Sequence, residues 1–428
     1  MTGSAIFLFQ AFVIVAVPVV LLRVSGLKGV MPLVAMQILV GIALGPSVFG
    51  KISPEYFQLF AGPAVLTPLA GLSTLAVLIF GLISGLHLDP TNFGARDRTF
   101  WSIALANVAA PMTLGCLAGY WILSRHPEEL LSGVTRAEFM AAIGICVSMK
   151  ALPVLGAILV ELELLGGRIA HFALGVAGVN DVLLWILLSI LLAAKAAGHP
   201  AAAYGLPPIL LIVAAPAYLL VMLRFARPAL SALVAARMLD EQISTRAAVV
   251  LGAATIASAL TTELMGLHYI IGAFLIGAIL PNDLRKPIVD RLQVMTVALM
   301  MPFFFALTGM RTMLDVSSPA LLEVFAVATS VSAIGVIGGT VAAATLCGET
   351  WSFGFGLGSL LQAKGLTELI VLTVLLDAGI VSPRIFTAMV LMALVSTAFA
   401  MPLARLALAR SGERRTVADP ATLPGHRF

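Results

Sequence analysis

Gly178-Val179-Asn180-Asp181-Val182-Leu183-Leu184-Trp185 sets one aspartate inside one of the most apolar runs of the chain. If that run crosses a bilayer as a helix starting near Arg168, a rise of about 1.5 Å per residue puts Asp181 ~20 Å in, near the midplane. A charge at that depth costs at least ~2.5–3.5 kcal/mol on insertion scales, so it normally faces a protein cavity, has a partner and carries a function. Lys150, in the preceding hydrophobic run, and Lys364, toward the C-terminus, share that depth.

Working outward, 60% of the 428 residues are hydrophobic and 11% are charged, and the mean hydropathy is +1.07. Soluble domains carry roughly a quarter charged residues. This chain cannot cover a globule in water and reads as an integral membrane protein whose main partner is the lipid bilayer. Its 38 glycines and 23 prolines suit packed, interrupted helices, and the alternation of barrel strands is absent. Cys116, Cys146 and Cys347 lie in or beside apolar runs without metal or redox spacing, and read as small core residues. The formal charge of +4 does not imply nucleic acid, because the arginines flank membrane segments. Residues 6–22 lack a basic leader and a cleavage site, so they read as a first span rather than a signal peptide.

Runs long enough to span occur near 5–22, 30–48, 65–86, 100–123, 137–160, 168–194, 207–225, 246–264, 267–282, 292–311, 319–346, 351–376 and 384–409. The expected fold class is therefore an all-α polytopic membrane protein with about 13 transmembrane helices. With the N-terminus outside and the C-terminus cytoplasmic, most basic residues fall on the inner side, Arg224, Arg227, Arg237, Arg285, Arg405 and Arg410 among them. A multi-pass protein of the plasma (inner) membrane is expected. An odd helix count permits two halves of opposite orientation, the arrangement of inverted-repeat transporters. The runs carrying Lys150 and Lys364 look like repeat mates, each with a polar interruption. In Ser148-Met149-Lys150-Ala151-Leu152-Pro153 the proline lacks a backbone donor, and in Gln362-Ala363-Lys364-Gly365 the glycine loosens the helix. Two broken helices crossing at the midplane would free backbone groups able to hold an ion. The stretch 411–428 is polar and reads as a short disordered tail. No phosphate-cradling loop follows a strand, so no attached nucleotide-binding domain and no cofactor are expected.

Asp181, buried and opposed by an ammonium, would bind either a proton or a monovalent cation. Asn180 offers a neutral carbonyl oxygen, Ser148 a hydroxyl, and Met149 lies between the serine and Lys150. Lys150 is expected to pair with Asp181 when no cation is bound and to give way when one arrives. Lys364 and Glu368, four residues apart, are expected to share a helix face and pair with each other. Thr367, Pro153 and Gly365 complete the supporting core of the two interruptions. Glu161 and Glu163 lie at the inner end of the Lys150 helix as possible cation collectors.

Several segments then match a known pattern. These are Met36 to Ser47 with Gly41 and Gly45, Ala151-Leu152-Pro153-Val154-Leu155 followed by Asn180-Asp181, Pro302-Phe303-Phe304-Phe305 through Gly309, and above all Lys364-Gly365-Leu366-Thr367-Glu368-Leu369-Ile370-Val371. The chain resembles the monovalent cation:proton antiporter-2 family, most closely the plant-type cation/proton exchangers and their bacterial relatives. The resemblance implies a sodium/proton-antiporter fold over 1–410 and a homodimer. It implies scaffold helices over 5–86 and 246–311, a linker helix over 207–225, and core helices over 100–194 and 319–409 that move as an elevator carrying Asp181. The cargo it implies is Na⁺ or K⁺ against H⁺. Two positions depart from the pattern. Lys150 stands where relatives usually carry threonine, and Val336 where many carry lysine, so Lys150 is expected to act as a relocated partner of Asp181. His87 replaces a usual acidic residue and is assigned no chemistry. Two other readings compete: a proton-coupled anion or organic-acid transporter, and a transport-inactive membrane sensor locked by a Lys150–Asp181 salt bridge. None of the three is an enzyme.

Overall fold

A backbone in lipid must satisfy its own N–H and C=O groups, which leaves apolar runs of this length little alternative to helix. The computed structural model describes residues 3–26, 33–86, 98–162, 164, 167–197, 214, 217–235, 238–239, 242–265, 267–313 and 318–411. Among them, regular structure is helical apart from one short antiparallel hairpin, Met238–Leu239 against Gln242–Ile243.

In chain order the principal helices are α1 (Gly3–Val24), α2 (Leu33–Leu44), α3 (Pro63–Leu86), α4 (Arg98–Arg125), α5 (Arg136–Ser148), α6 (Leu152–Glu161) and α7 (Arg168–Ala197). They continue with α8 (Arg227–Ala235), α9 (Thr245–Leu264), α10 (Tyr269–Ile279), α11 (Asn282–Met295), α12 (Met301–Arg311) and α13 (Pro319–Ala333). The last are α14 (Gly339–Leu346), α15 (Trp351–Leu360), α16 (Leu366–Asp377) and α17 (Pro383–Ser411). A π-helical turn joins α11 to α12, and another, Ile334–Gly338, joins α13 to α14.

Ten helices among the described residues are long and apolar enough to cross a membrane. The expected count of about 13 is not reached by that measure, for a local reason. The runs around Lys150 and Lys364 are each cut into half-helices, α5 with α6 and α15 with α16, and α10 has only 11 residues. The linker expected over 207–225 is described only in part. Its described part continues through a π-helical turn, Met222–Ala226, into α8, and residues 207–213 lie outside the described residues. Residues 412–428, His87 and Glu163 lie outside them too.

Two sets of helices pack closely within themselves. In the first, α2 lies against α12, α3 against α10 and α12, and α9 against α10. Glycine permits the first of these contacts: a Cβ on Gly41 would sit 2.4 Å from the Ala306 carbonyl oxygen, and one on Gly309 2.3 Å from that of Ile38. With small residues at the seam the two backbones touch, the packing that apolar helices use in lipid. In the second set, α4 packs on α5, α7, α13 and α14, and α17 packs on α13 and α15.

This second set holds both interrupted helices and is clasped at both ends. Arg168 at the start of α7 grips Glu349 with two bonds, Nη1–Oε2 at 3.0 Å and Nη2–Oε1 at 2.6 Å, and lies over the rings of Phe172 and Phe353. At the other end the buried Glu129, between α4 and α5, accepts from Ser382 just ahead of α17 and from Arg384 in its first turn.

Candidate functional site

The two interruptions meet. Residues 149–151 follow the C-terminus of α5, and 361–365 follow that of α15, so each leaves helix-end groups without partners in its own helix. The Ala151 N–H donates to the Ala363 carbonyl at 3.0 Å, joining the breaks backbone to backbone. Pro153 falls in the first turn of α6, where its missing N–H removes no intrahelical bond. Gly365 is extended and tightly packed: a Cβ there would stand 2.8 Å from Cγ2 of Val154. It serves close approach of the two breaks more than looseness. Thr397 of α17 satisfies the second break by accepting from the Lys364 N–H at 3.0 Å and donating to the Lys364 carbonyl at 2.5 Å.

Lys364 is buried and turns its ammonium toward the first break. It donates to the carbonyls of Cys146 (3.3 Å), Val147 (2.9 Å) and Met149 (3.1 Å), and its Nζ lies 3.5 Å from Glu368 Oε2. The charge therefore sits on the carbonyl end of α5, where a helix dipole favours a cation. Lys364 and Glu368 do form an i,i+4 pair, but they do not share a helix face, because Lys364 precedes the N-cap of α16.

Lys150, 1% exposed, is arranged differently. Its Nζ donates to the Ser148 carbonyl at 2.6 Å and to the Asn107 carbonyl at 3.1 Å. The Asn180 amide, turned to suit its neighbours, accepts from the same Nζ at 2.9 Å and donates to the Ser148 carbonyl at 3.3 Å. An ammonium has three N–H groups, and all three are used on neutral oxygens.

Lys150 and Asp181 therefore do not form the expected salt bridge. Among the described residues no ion pair within 4.0 Å joins them. The sensor reading locked by that bridge loses its lock, because nearer backbone and amide oxygens have taken every donor. Asp181 itself is 1% exposed, and among the described residues neither carboxylate oxygen has a hydrogen-bond partner. Among the same residues the buried Nε1 of Trp185, one helical turn on, and Oγ1 of the buried Thr367 are unpartnered as well.

The hydroxyl of Ser148 is donated back to the Gly144 carbonyl at 2.7 Å, so this residue meets Lys150 through its backbone oxygen instead. Met149 likewise contributes its carbonyl, and it does so to Lys364. Val336, in the π-helical turn, is buried, and its carbonyl accepts from Asn107 Nδ2 at 3.4 Å. Positions 150 and 336 thus meet on one residue, Asn107, which also donates to Thr340 Oγ1 at 2.5 Å. Asn107 was not singled out in the sequence. It is a lone amide in an apolar helix, the same signal that marked Asn180. Thr397 and Gln362 were missed as site residues as well. The Gln362 amide donates to Ser332 (3.0 Å) and Ser396 (3.2 Å), tying the second break to α13 and α17.

Among the described residues no group of three or more His, Cys, Asp or Glu stands ready for a metal ion. A single carboxylate such as that of Asp181 can instead take up one proton or one monovalent cation. Leaving a carboxylate in a desolvated site without either would be costly.

Residues 12–405 match the family model described as "Sodium/hydrogen exchanger, transmembrane". The chain is 31% identical over 392 residues to cation/H(+) antiporter 17 of Arabidopsis thaliana, covering 91% of this chain and 46% of that protein. It is 30% identical over 427 residues to K(+)/H(+) antiporter 1 of Saccharomyces cerevisiae, covering 97% and 48%. With the Na(+)/H(+) antiporter NhaS4 of Synechocystis it shares 30% identity over 379 residues, covering 87% and 90%. The chain thus spans about half the length of the plant and yeast relatives. The fold matches that of the sodium proton antiporter MjNhaP1 from Methanocaldococcus jannaschii, with a TM-score of 0.63 at 14% identity, over 95% of this chain and 99% of that one.

Proposed function

The chain belongs to the sodium/hydrogen exchanger family, and from that premise we propose that it exchanges a monovalent cation, Na⁺ or K⁺, for protons across a membrane. Asp181 is the shared site. One observation carries the reading: a fully buried carboxylate with both oxygens unpartnered, on a helix whose preceding residue, Asn180, is bound to the first of two joined helix breaks.

The chemistry follows from the count of charges. Lys150 and Lys364 bring two positive charges into the buried core, and Asp181 and Glu368 two negative ones. Neither oxygen of Glu368 has a hydrogen-bond partner among the described residues either, but Lys364 Nζ stands 3.5 Å from it. Among the same residues Asp181 has no ion pair within 4.0 Å, so it is the carboxylate assigned to exchange. Adding a proton or a monovalent cation to it changes the core charge by the same amount. The site therefore trades one for one, and it is never re-exposed empty without a buried carboxylate left bare. Lys150 holds Asn180 and the first break in place through its three bonds, and its charge lies close enough to oppose a second cation. Lys150 and Val336, the two positions that depart from the family pattern, meet on Asn107, so Lys150 acts on the site through Asn180 and the first break and not as a salt-bridge partner of Asp181.

Movement of the site is proposed as an elevator. The helices of the first packing set form a scaffold, those of the second a mobile core, and two copies join through their scaffolds. The chain would sit in a plasma or inner membrane with its C-terminus in the cytoplasm. Protein reconstituted in liposomes with an internal pH dye tests this reading. Proton movement on adding Na⁺ or K⁺ supports it. Movement with anions only would favour a proton-coupled anion or organic-acid carrier, and silence with all salts would remove the transport reading.

A further inference from the structure

The two buried ammoniums look alike in sequence and differ in surroundings. Lys364 has a carboxylate 3.5 Å away, whereas Lys150 has none within 4.0 Å among the described residues. Around the Lys150 Nζ stand the carbonyls of Ser148 and Asn107 and the side-chain oxygen of Asn180, at 2.6, 3.1 and 2.9 Å. These oxygens come from three separate parts of the chain, the end of α5, the middle of α4 and the middle of α7. Two of the three residues are fixed by other bonds of their side-chain amides. Asn107 is held by Thr340, and Asn180 is held by the Ser148 carbonyl. A lysine ammonium in a ring of neutral oxygens is bound as a free cation would be bound, except that it is tethered.

We infer that these three oxygens form a second monovalent-cation subsite, next to the Asp181 site, which this chain keeps filled with its own side chain. The ligand class is a weakly hydrated monovalent cation of about the size of an ammonium group, NH₄⁺ or K⁺. Neutral carbonyl and amide oxygens suit such an ion, while divalent cations draw on carboxylates. The inference rests on the exchanger reading for the cargo class of the neighbouring site. In that reading the tethered ammonium is what limits the protein to one exchangeable cation.

Shortening residue 150 should open the subsite. The experiment follows the unfolding temperature of purified Lys150→Ala and Lys150→Thr proteins in NH₄Cl, KCl and choline chloride at matched ionic strength. Wild type and Lys150→Met, whose apolar chain fills the space, serve as controls. The two short variants are expected to gain a saturable rise of about 3 °C with NH₄⁺ or K⁺ at roughly hundredfold excess over Kd, and none with choline. In the Asp181→Asn background, which removes the neighbouring cation site, that gain should persist in the two short variants and be absent with Lys150 intact or with Lys150→Met. If a short variant folds only in ammonium or potassium, the subsite is supported in a stronger form. If both short variants respond to NH₄⁺ and K⁺ no more than to choline, or fold in none of the three salts, the subsite is overturned. Absent proton exchange by wild-type liposomes would instead reject the exchanger reading and leave this cation response standing.

Discussion

Lys364 reaches from one helix break to the other, its ammonium 2.9 Å from the Val147 carbonyl at the end of α5 while its own backbone is held by Thr397 of α17. The residue thereby satisfies the open end of a helix more than two hundred positions away and brings Glu368 its counter-charge. Three carbonyls of the first interruption take their bonds from this single side chain, and lipid offers no water to replace it.

Removing it should cost stability before it costs chemistry. Lys364→Met leaves Glu368 as an uncompensated buried charge and three carbonyls without a donor, a loss of about 3–5 kcal/mol. The unfolding temperature in detergent is expected to fall sharply and to recover in part when Glu368→Gln is added. A single variant as stable as wild type would show that the pair is not needed to hold the breaks.

Competition at one carboxylate fixes how transport depends on pH. Where protons occupy Asp181, more cation is required to displace them. The apparent KM for Na⁺ or K⁺ should therefore rise as pH falls, approaching about tenfold per unit, while the maximal rate at saturating cation holds. Initial rates of dye response across a pH series give the answer. A KM that stays flat across the series would mean that proton and cation use different groups.

Exchange of one for one moves no net charge. With Glu368 paired to Lys364, rates in liposomes at a fixed K⁺ gradient should be the same with and without the potassium ionophore that turns that gradient, in either direction, into a potential. Acceleration by an inside-negative potential during proton entry would show that a second group loads along with Asp181.

The elevator proposal can be read at the surface. Arg311 at the end of α12 pairs with Asp377 at the end of α16, with Nη1 to the two carboxylate oxygens at 3.0 and 3.2 Å. The first residue belongs to the proposed scaffold and the second to the proposed core. As an exposed pair it adds little stability, but it marks a seam that sliding would open. Arg311→Cys with Asp377→Cys, in a background free of the three native cysteines, should lose exchange when joined by a short cleavable thiol reagent and regain it on reduction. Undiminished exchange in the joined state would mean that these helix ends do not separate.

Much of this site was legible as letters out of place. Asp181, Lys150 and Lys364 stand out because charge is expensive in apolar runs, and Pro153 and Gly365 mark the places where helix gives way. The identity of each partner was not legible. Charge complementarity suggested that Lys150 would meet Asp181, yet its donors went to Ser148 and Asn107 through main-chain oxygens, which no letter encodes. Asn107 was readable in principle by the same rule as Asn180. Helix also extends between the expected spans 267–282 and 292–311. Asp283, Arg285 and Lys286 lie in the first turns of α11, because Arg285 is buried and donates to the Leu280 and Ala278 carbonyls, at 2.8 and 2.9 Å, at the end of α10.

The central claim is that one carboxyl group carries proton and cation in turn. Asp181→Asn keeps the volume and removes the negative charge, so the variant can be compared with wild type in the same liposomes, at equal protein content and with matched unfolding profiles. Cation-driven proton movement should fall to the level of protein-free liposomes. A variant that still exchanges at the wild-type rate would contradict the account, whatever else in the fold proved right.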